Sequence, residues 1–248
     1  YQLGTMFTQT ELHGVDLPLQ RIEEVAHPVG VVLLAVGRYA DWLLVGRIGG
    51  VLVLVAALGV SVVLARKLYE MRVPWTPMHT RYGVVATALA AWALGTAPAW
   101  LRDPTTAAHL IGAPGTTHLL ALGVIGFVVL GTLYHIVPFI VWVHRYSDRL
   151  GYEDVPMIDD LYRDRLAALD ASLLVGGTTL LVVSETALLP GVGAVVGGAL
   201  VGLGVVVFAA NMVLVLRAHS PHSLGEILFG SMAPARTGTG ESRPADQQ

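Results

Sequence analysis

Long uncharged runs alternate with short charged segments along the chain. Residues 48–65, 82–101 and 110–143 contain no Lys, Arg, Asp or Glu, and residues 171–184 and 191–216 are two further uncharged runs. A helix needs about 20 mostly apolar residues to cross about 30 Å of hydrocarbon. With their flanking residues, these runs predict five transmembrane helices.

A sixth apolar run, residues 25–37, is shorter and ends at Arg38. It is consistent with a short span that begins near Leu19 and keeps Glu23 and Glu24 at the headgroups, or with a re-entrant or interfacial segment. We favour the span. The predicted fold class is therefore an all-α integral membrane protein, a bundle of about six transmembrane helices. Within a membrane domain of residues 1–230, the predicted spans are 19–38, 47–66, 82–101, 115–143, 166–185 and 191–217.

The basic residues divide unevenly between the two sides of this predicted bundle. If the six spans alternate in direction, 12 of the 15 Lys and Arg residues fall on one side. Basic residues accumulate in cytoplasmic loops, so we expect that side, including the C-terminus, to be cytoplasmic in a prokaryotic inner membrane. The three on the outer side are Arg38, Arg47 and Arg102.

Composition agrees with the span pattern and excludes several kinds of chemistry. The chain is 54% hydrophobic and 13% charged, about half the charge of a soluble domain, so its expected surroundings are membrane lipid. It has no cysteine, which excludes disulfides, thiolate metal sites and cysteine nucleophiles. A net charge of −3 gives no reason to expect nucleic acid as a partner. Residues 231–248, rich in Gly, Ser, Thr and Pro, are predicted to be a disordered cytoplasmic tail.

A weak internal repeat relates the two ends of the chain. Tyr1 and Tyr134 each precede an amphipathic segment, which leads to an arginine (Arg21 and Arg165) and then to a pair of apolar helices. If the repeat is real, Tyr1 is the end of a helix whose body is absent, and the chain is an N-terminally truncated fragment. The alternatives are a start trimmed by processing and initiation at Met6.

Glycines cluster in the last predicted span. Gly193, Gly197, Gly198 and Gly202 have small-xxx-small spacing, which predicts close packing against another helix and not a ligand loop.

His118 is the strongest candidate for chemistry inside a span. It lies near the outer start of the long fourth span, and a neutral imidazole is a suitable ligand for haem iron. The alternative is an interfacial histidine bonded near the headgroups. Tyr134 is expected to belong to an interfacial aromatic belt, and Asp170 to be a helix-start carboxylate or a proton-uptake group. We found no motif for nucleotide binding or serine hydrolysis, and no complete catalytic centre, so enzymatic activity is left open.

The segment containing His118 resembles a helix of a known membrane-protein family. THLLALGVIGFVVLGTLYHIVP is similar to a pattern His-x-His-Leu-Leu-x-Leu-Gly, ending in Leu-Tyr-His-x-x-Pro. Proteins similar to subunit I of haem–copper oxidases, including cytochrome c oxidase and nitric oxide reductase large subunits, carry this pattern. The second histidine of the pattern is His118, and the first position is Thr116.

The resemblance implies a haem-binding or haem-derived helical scaffold, and our hypothesis is a b-type haem bound at His118. It implies no copper site, because the chain has no adjacent histidine pair. The second axial ligand is expected from the helix that would precede Tyr1. The implied roles are respiratory electron transfer or the handling of NO or O2, with other respiratory subunits as partners. The alternatives are a cofactor-free scaffold or assembly subunit and a small-solute transporter. Transport is disfavoured because the centres of the secure predicted spans carry no charge.

Overall fold

Six long helices form the part of the chain that the computed structural model describes, which is residues 5, 7–185, 191–222 and 225–226. They run up and down, so that α1, α3 and α5 begin at the end where α2, α4 and α6 finish. We call this the basic end, and the other end the opposite end. The six helices are α1 Asp16–Tyr39, α2 Leu43–Glu70, α3 Pro77–Arg102, α4 Leu119–Arg145, α5 Asp164–Ser184 and α6 Val192–His219.

Five of these helices, α2 to α6, are long and apolar enough to cross a membrane. The all-α membrane fold class predicted from the sequence is thus confirmed. Helix α1 extends beyond the predicted sixth span 19–38 at both ends, but it is not among the five apolar helices. Its charged residues are the reason: Arg21, Glu23 and Glu24 in its first half, and Arg38 in its last turn. The predicted tail 231–248 and Tyr1 lie outside the described residues.

Helices α1 and α2 form a tight antiparallel hairpin joined by residues 40–42. A Cβ added at Gly30 would lie 2.9 Å from the backbone nitrogen of Val53, and one added at Gly37 would overlap the backbone of Gly46. Only residues without a Cβ allow the two backbones to approach so closely.

Helices α5 and α6 form a second hairpin of the same kind. A Cβ added at Gly197 would lie 2.9 Å from the carbonyl oxygen of Gly177. The predicted glycine face is therefore correct for Gly197 but wrong for Gly198 and Gly202, whose added Cβ atoms would have no neighbour within 4 Å. The packed face continues at Gly204, about two turns beyond Gly197 towards the basic end.

Helix α3 begins earlier than the uncharged run predicted. Thr76 and His79 form a capping box, and Pro77 occupies the first turn, where its missing N–H needs no partner. The helix therefore starts five residues before the predicted boundary at residue 82. Arg81, assigned to a loop from the sequence, lies one turn inside the helix and is fully buried.

Helix α4 starts in an unusual conformation. Its first eight residues, Leu119–Gly126, form a π-helix, and Phe127–Arg145 continue as an α-helix. The chain before it, residues 103–118, is mostly irregular and is fastened to α3 by indole hydrogen bonds: Trp92 Nε1 donates to Ile111 O at 3.0 Å, and Trp100 Nε1 to His109 O at 2.8 Å. π-helical turns occur frequently at functional sites, and this one directly follows His118.

Candidate functional site

Four buried polar side chains meet between the last four helices, near the basic end. Arg81 belongs to α3, Tyr134 to α4, Asp170 to α5 and Asn211 to α6. Arg81, Asp170 and Asn211 have no exposed surface, and Tyr134 is 1% exposed. We call this group the buried network.

The guanidinium of Arg81 is the centre of the network. It forms a salt bridge with Asp170 Oδ1 and donates hydrogen bonds to Ala167 O at 3.1 Å and Pro77 O at 2.8 Å. Its Cζ lies 4.1 Å from the centroid of the Tyr134 ring, a cation–π distance. The charge of Arg81 is thus compensated by a carboxylate, two carbonyl groups and an aromatic face.

Tyr134 and Asn211 extend the network to the other helices. The Tyr134 hydroxyl donates to Asp170 Oδ2 at 2.5 Å and accepts from Asn211 Nδ2 at 3.0 Å. The Asn211 amide also pairs with the backbone of Arg163, accepting from its N–H at 3.0 Å and donating to its C=O at 3.1 Å. The network therefore connects α3, α4, α5 and α6 with the segment that precedes α5.

Two sequence-based interpretations are corrected here. Tyr134 is not part of an interfacial belt, because its ring is buried between Tyr162 and Phe208 and its hydroxyl is bonded to Asp170. Asp170 is not at the start of its helix; it is the seventh residue of α5. The sequence did contain signals for this site: Thr76-Pro77 marks an early start for α3, and Asn211 interrupts a long apolar run.

A second charged cluster lies at the basic end between α1 and α2. Lys67 Nζ contacts Asp16 Oδ2 at 2.9 Å and Glu70 Oε2 at 2.6 Å, and Arg66 Nε contacts Asp16 Oδ1 at 3.0 Å. His13, Asp16 and Glu70 have ligand atoms within 4.8 Å of one another. The ammonium group of Lys67 already bonds both carboxylates, so this cluster is compensated without a metal ion.

The electrostatics of Asp16 follow from these contacts. Burial by itself raises the pKa of the Asp16 carboxyl, but the hydrogen bonds from Lys67 and from the His13 N–H, with the charges of Lys67 and Arg66, lower that pKa on balance. Asp16 is therefore ionised in the folded protein near neutral pH and holds the start of α1 against the last turn of α2.

His118, the residue predicted from the sequence to bind a cofactor, lies at the opposite end. Its Nδ1 is 2.5 Å from Glu185 Oε1, an ion-pair contact without hydrogen-bond geometry. The two side chains are 34% and 30% exposed. Glu185 is brought to His118 from the end of α5. Thr116 is instead buried, with its hydroxyl donating to Ala113 O at 2.8 Å.

An apolar cleft of about 560 Å³ extends along the bundle from Thr80, in the first turn of α3, to Leu119 and Val183, the near sequence neighbours of His118 and Glu185. His118 and Glu185 themselves do not line it. It lies between α3 and α5, with the π-helical start of α4 forming a third wall. Thr178, which lines the cleft from α5, is 7% exposed. Its hydroxyl oxygen has no hydrogen-bond partner among the described residues. The cleft has the volume of a small-molecule site. Its walls include Gly83, Thr87, Ala88, Leu119, Gly123, Phe127, Val182 and Val183.

Comparisons with known proteins found no match for this chain among protein-family models, curated proteins or solved structures.

Proposed function

We propose that this chain is a haem–copper-oxidase-subunit-I-like membrane protein that holds one b-type haem through His118. Its proposed role is respiratory electron transfer or the handling of a small gas such as NO or O2, with other respiratory subunits as partners. The observation that carries the proposal is the contact between His118 Nδ1 and Glu185 Oε1, at the end of the bundle where the apolar cleft reaches Leu119 and Val183.

The donor set is consistent with haem ligation. A histidine that binds a metal usually presents its other ring nitrogen to a carboxylate or carbonyl, which fixes the ring and raises its basicity. The Glu185 carboxylate lies 2.5 Å from His118 Nδ1, although without hydrogen-bond geometry, and the apolar cleft includes Leu119, the residue after His118. His118 would hold the haem iron through its imidazole, and a bound haem would supply one-electron or gas-binding chemistry.

The other ionisable clusters do not fit a haem ligand. Within the described parts of the chain, the group of three His, Asp or Glu side chains close enough to share a metal is His13, Asp16 and Glu70. They lie at the basic end, and the carboxylates of Asp16 and Glu70 already bind Lys67. His118 is therefore the residue to which we assign the proposed axial ligand.

The absorption spectrum of the protein tests this proposal. We expect the purified protein to show a reduced-minus-oxidised b-type band that His118→Ala abolishes. Glu185→Gln should weaken haem retention, because it removes the negative charge beside the ligand. His144→Ala is the matched control: it lies near the other end of α4, it is exposed, and its Nδ1 is hydrogen-bonded to Ile140 O at 2.8 Å. Absence of a haem band, or an unchanged band in His118→Ala, would falsify the proposal.

The buried network favours a second candidate function, a cofactor-free scaffold or assembly subunit. Arg81, Tyr134, Asp170 and Asn211 lock four helices together with bonds made among themselves and to the backbone. Helices fixed relative to one another by these bonds can present a constant surface to partner subunits. A folded protein without a haem band, whose stability is the same in wild type and His118→Ala, is the outcome expected for this candidate.

The orientation proposed from the sequence places the basic end in the cytoplasm of a prokaryotic cell. Its support is the charge distribution: nine of the basic residues lie at or near helix ends on that side, whereas Arg38, Arg47 and Arg102 lie at the opposite end. The nine are Arg66, Lys67, Arg72, Arg81, Arg145, Arg149, Arg163, Arg165 and Arg217.

A further inference from the structure

Helix α1 carries three polar side chains and a valine along one side of the helix, adjacent to the face that packs against α2. We define the α1 stripe as Gln20, Glu24, His27 and Val31. Successive helical residues are rotated by about 100°, so these four side chains project within an arc of about 60°. Glu24, His27 and Val31 are exposed. Gln20 Nε2 donates to Glu24 Oε1 at 2.9 Å, and among the described residues His27 has no polar partner.

The depth of this stripe follows from the α1–α2 hairpin. The glycine contacts pair Gly30 with Val53 and Gly37 with Gly46, and the residue numbers in each pair add to 83. His27 is therefore level with residue 56, the midpoint of Leu43–Glu70. Glu24 is less than one helical turn away from that level.

An exposed carboxylate and an exposed imidazole at this depth require a polar neighbour. Helix α2 is long and apolar enough to cross a membrane. Centring α2 in the bilayer puts Glu24 and His27 near the middle of the hydrocarbon, and not at the headgroups, where the sequence predicted Glu24. Ionisable side chains at that depth are strongly disfavoured against lipid and normally pair with one another or line a polar surface.

Charge complementarity indicates a second copy of this chain as that neighbour. Glu24 and His27 are an acid and an imidazole one turn apart on one face. In a twofold dimer with its axis along the membrane normal, a contact between residue i and residue j is repeated as a contact between j and i. We propose that the protein forms a homodimer through the α1 stripe, in which Glu24 pairs with the partner's His27 and His27 with the partner's Glu24. This proposal does not depend on haem binding.

The absence of cysteine makes the interface directly testable. Val31→Cys places a thiol on the stripe, and Val29→Cys places one on the other side of α1, at about 170° from the middle of the stripe. The two native side chains are similarly exposed, at 46% and 44%. In oxidised membranes with low protein content, we expect Val31→Cys to form a covalent dimer and Val29→Cys to remain monomeric.

A charge-exchange series tests the pairing itself. The reversed double variant Glu24→His with His27→Glu preserves both reciprocal pairs, so it should dimerise like the wild type. Each single variant places like groups opposite each other, and we expect it to raise the dimer dissociation constant about tenfold. Light scattering of the protein in detergent gives the mass, and the wild type should have the mass of two chains.

Three outcomes overturn the homodimer. They are a single-chain mass for the wild type, equal cross-linking at Val29→Cys and Val31→Cys, and single variants that dimerise as well as the reversed double variant. A single-chain mass together with protection of a cysteine at position 31 from labelling indicates that a different molecule covers the stripe.

Discussion

The Tyr134 hydroxyl donates a 2.5 Å hydrogen bond to Asp170 Oδ2, although the two residues lie 36 positions apart on different helices. The same hydroxyl accepts a bond from Asn211 on a third helix. Both groups are removed from solvent, so each bond satisfies a polar atom that has no water to replace its partner. This relationship makes the buried network a determinant of stability at the basic end.

Tyr134→Phe should destabilise the protein by about 1–3 kcal/mol, because it leaves an oxygen of Asp170 and an N–H of Asn211 without their partner. Thermal unfolding in detergent, followed by tryptophan fluorescence, measures the change. Tyr152→Phe is the control, since Tyr152 is 90% exposed and its substitution should leave the unfolding temperature unchanged. Equal unfolding temperatures for the Tyr134 and Tyr152 variants contradict the expectation.

Arg81→Met should cost about 3–5 kcal/mol, because removing one partner of a buried ion pair leaves the other charge uncompensated. Adding Asp170→Leu should recover much of that loss, since the unpaired carboxylate is then absent. Arg21→Met is the control on an exposed arginine. If the double variant is less stable than Arg81→Met, the carboxylate is held by groups other than Arg81, and this explanation fails.

Gly197→Ala should destabilise the α5–α6 hairpin by about 1–3 kcal/mol, because its Cβ would overlap the Gly177 carbonyl and the Leu181 side chain. Gly198→Ala is a matched control one residue away. No atom lies within 4 Å of its added Cβ, so this change should be neutral or stabilise the protein by up to about 1 kcal/mol. The unfolding temperatures of Gly197→Ala and Gly198→Ala, each compared with wild type, measure these two effects. Equal destabilisation by both would indicate a general intolerance of the helix and not a contact with α5.

The Asp16 cluster predicts a dependence of stability on acid pH. The folded-state pKa of Asp16 lies below its ordinary value of 3.8. Its stabilising contribution is therefore complete above about pH 4 and is lost as the pH falls through the folded pKa. We expect wild type and Asp16→Asn to differ in unfolding temperature by a constant amount from about pH 7 to pH 5, and the difference to shrink as the pH falls below about 4 towards the lowered folded-state pKa. A difference in unfolding temperature that grows towards low pH would contradict this prediction.

Single cysteines report the orientation of the bundle in the membrane. Asp148 at the basic end and Ala108 at the opposite end are exposed, and the chain has no native cysteine. The proposed orientation predicts that an impermeant thiol reagent added to intact cells labels Ala108→Cys but labels Asp148→Cys only after lysis. The reversed pattern would place the basic end outside the cell.

Hydrophobic patterning was sufficient to predict the helices, because a membrane span must be long and apolar whatever it packs against. Helices α2 to α6 lie close to the five secure runs. Helix α1 is the exception, because it is not among the apolar helices. Its pairing with α2 is seen only in the structure, in the backbone contacts at Gly30 and Gly37. Thr76-Pro77 could have predicted the start of α3. The predicted start at residue 82 was wrong because it was taken from the first residue of the uncharged run.

Local sequence determined that this chain forms apolar helices and that His118 is polar at the edge of one of them. Only the tertiary structure decided which polar groups meet. Glu185 reaches His118 from 67 positions away, and Arg81 reaches Asp170 from 89 positions away. The partner of a buried charge depends on how helices rotate and pack against each other, and hydropathy does not contain that information. The cost of leaving such a charge unpaired explains why the packing, once formed, must bring these residues together.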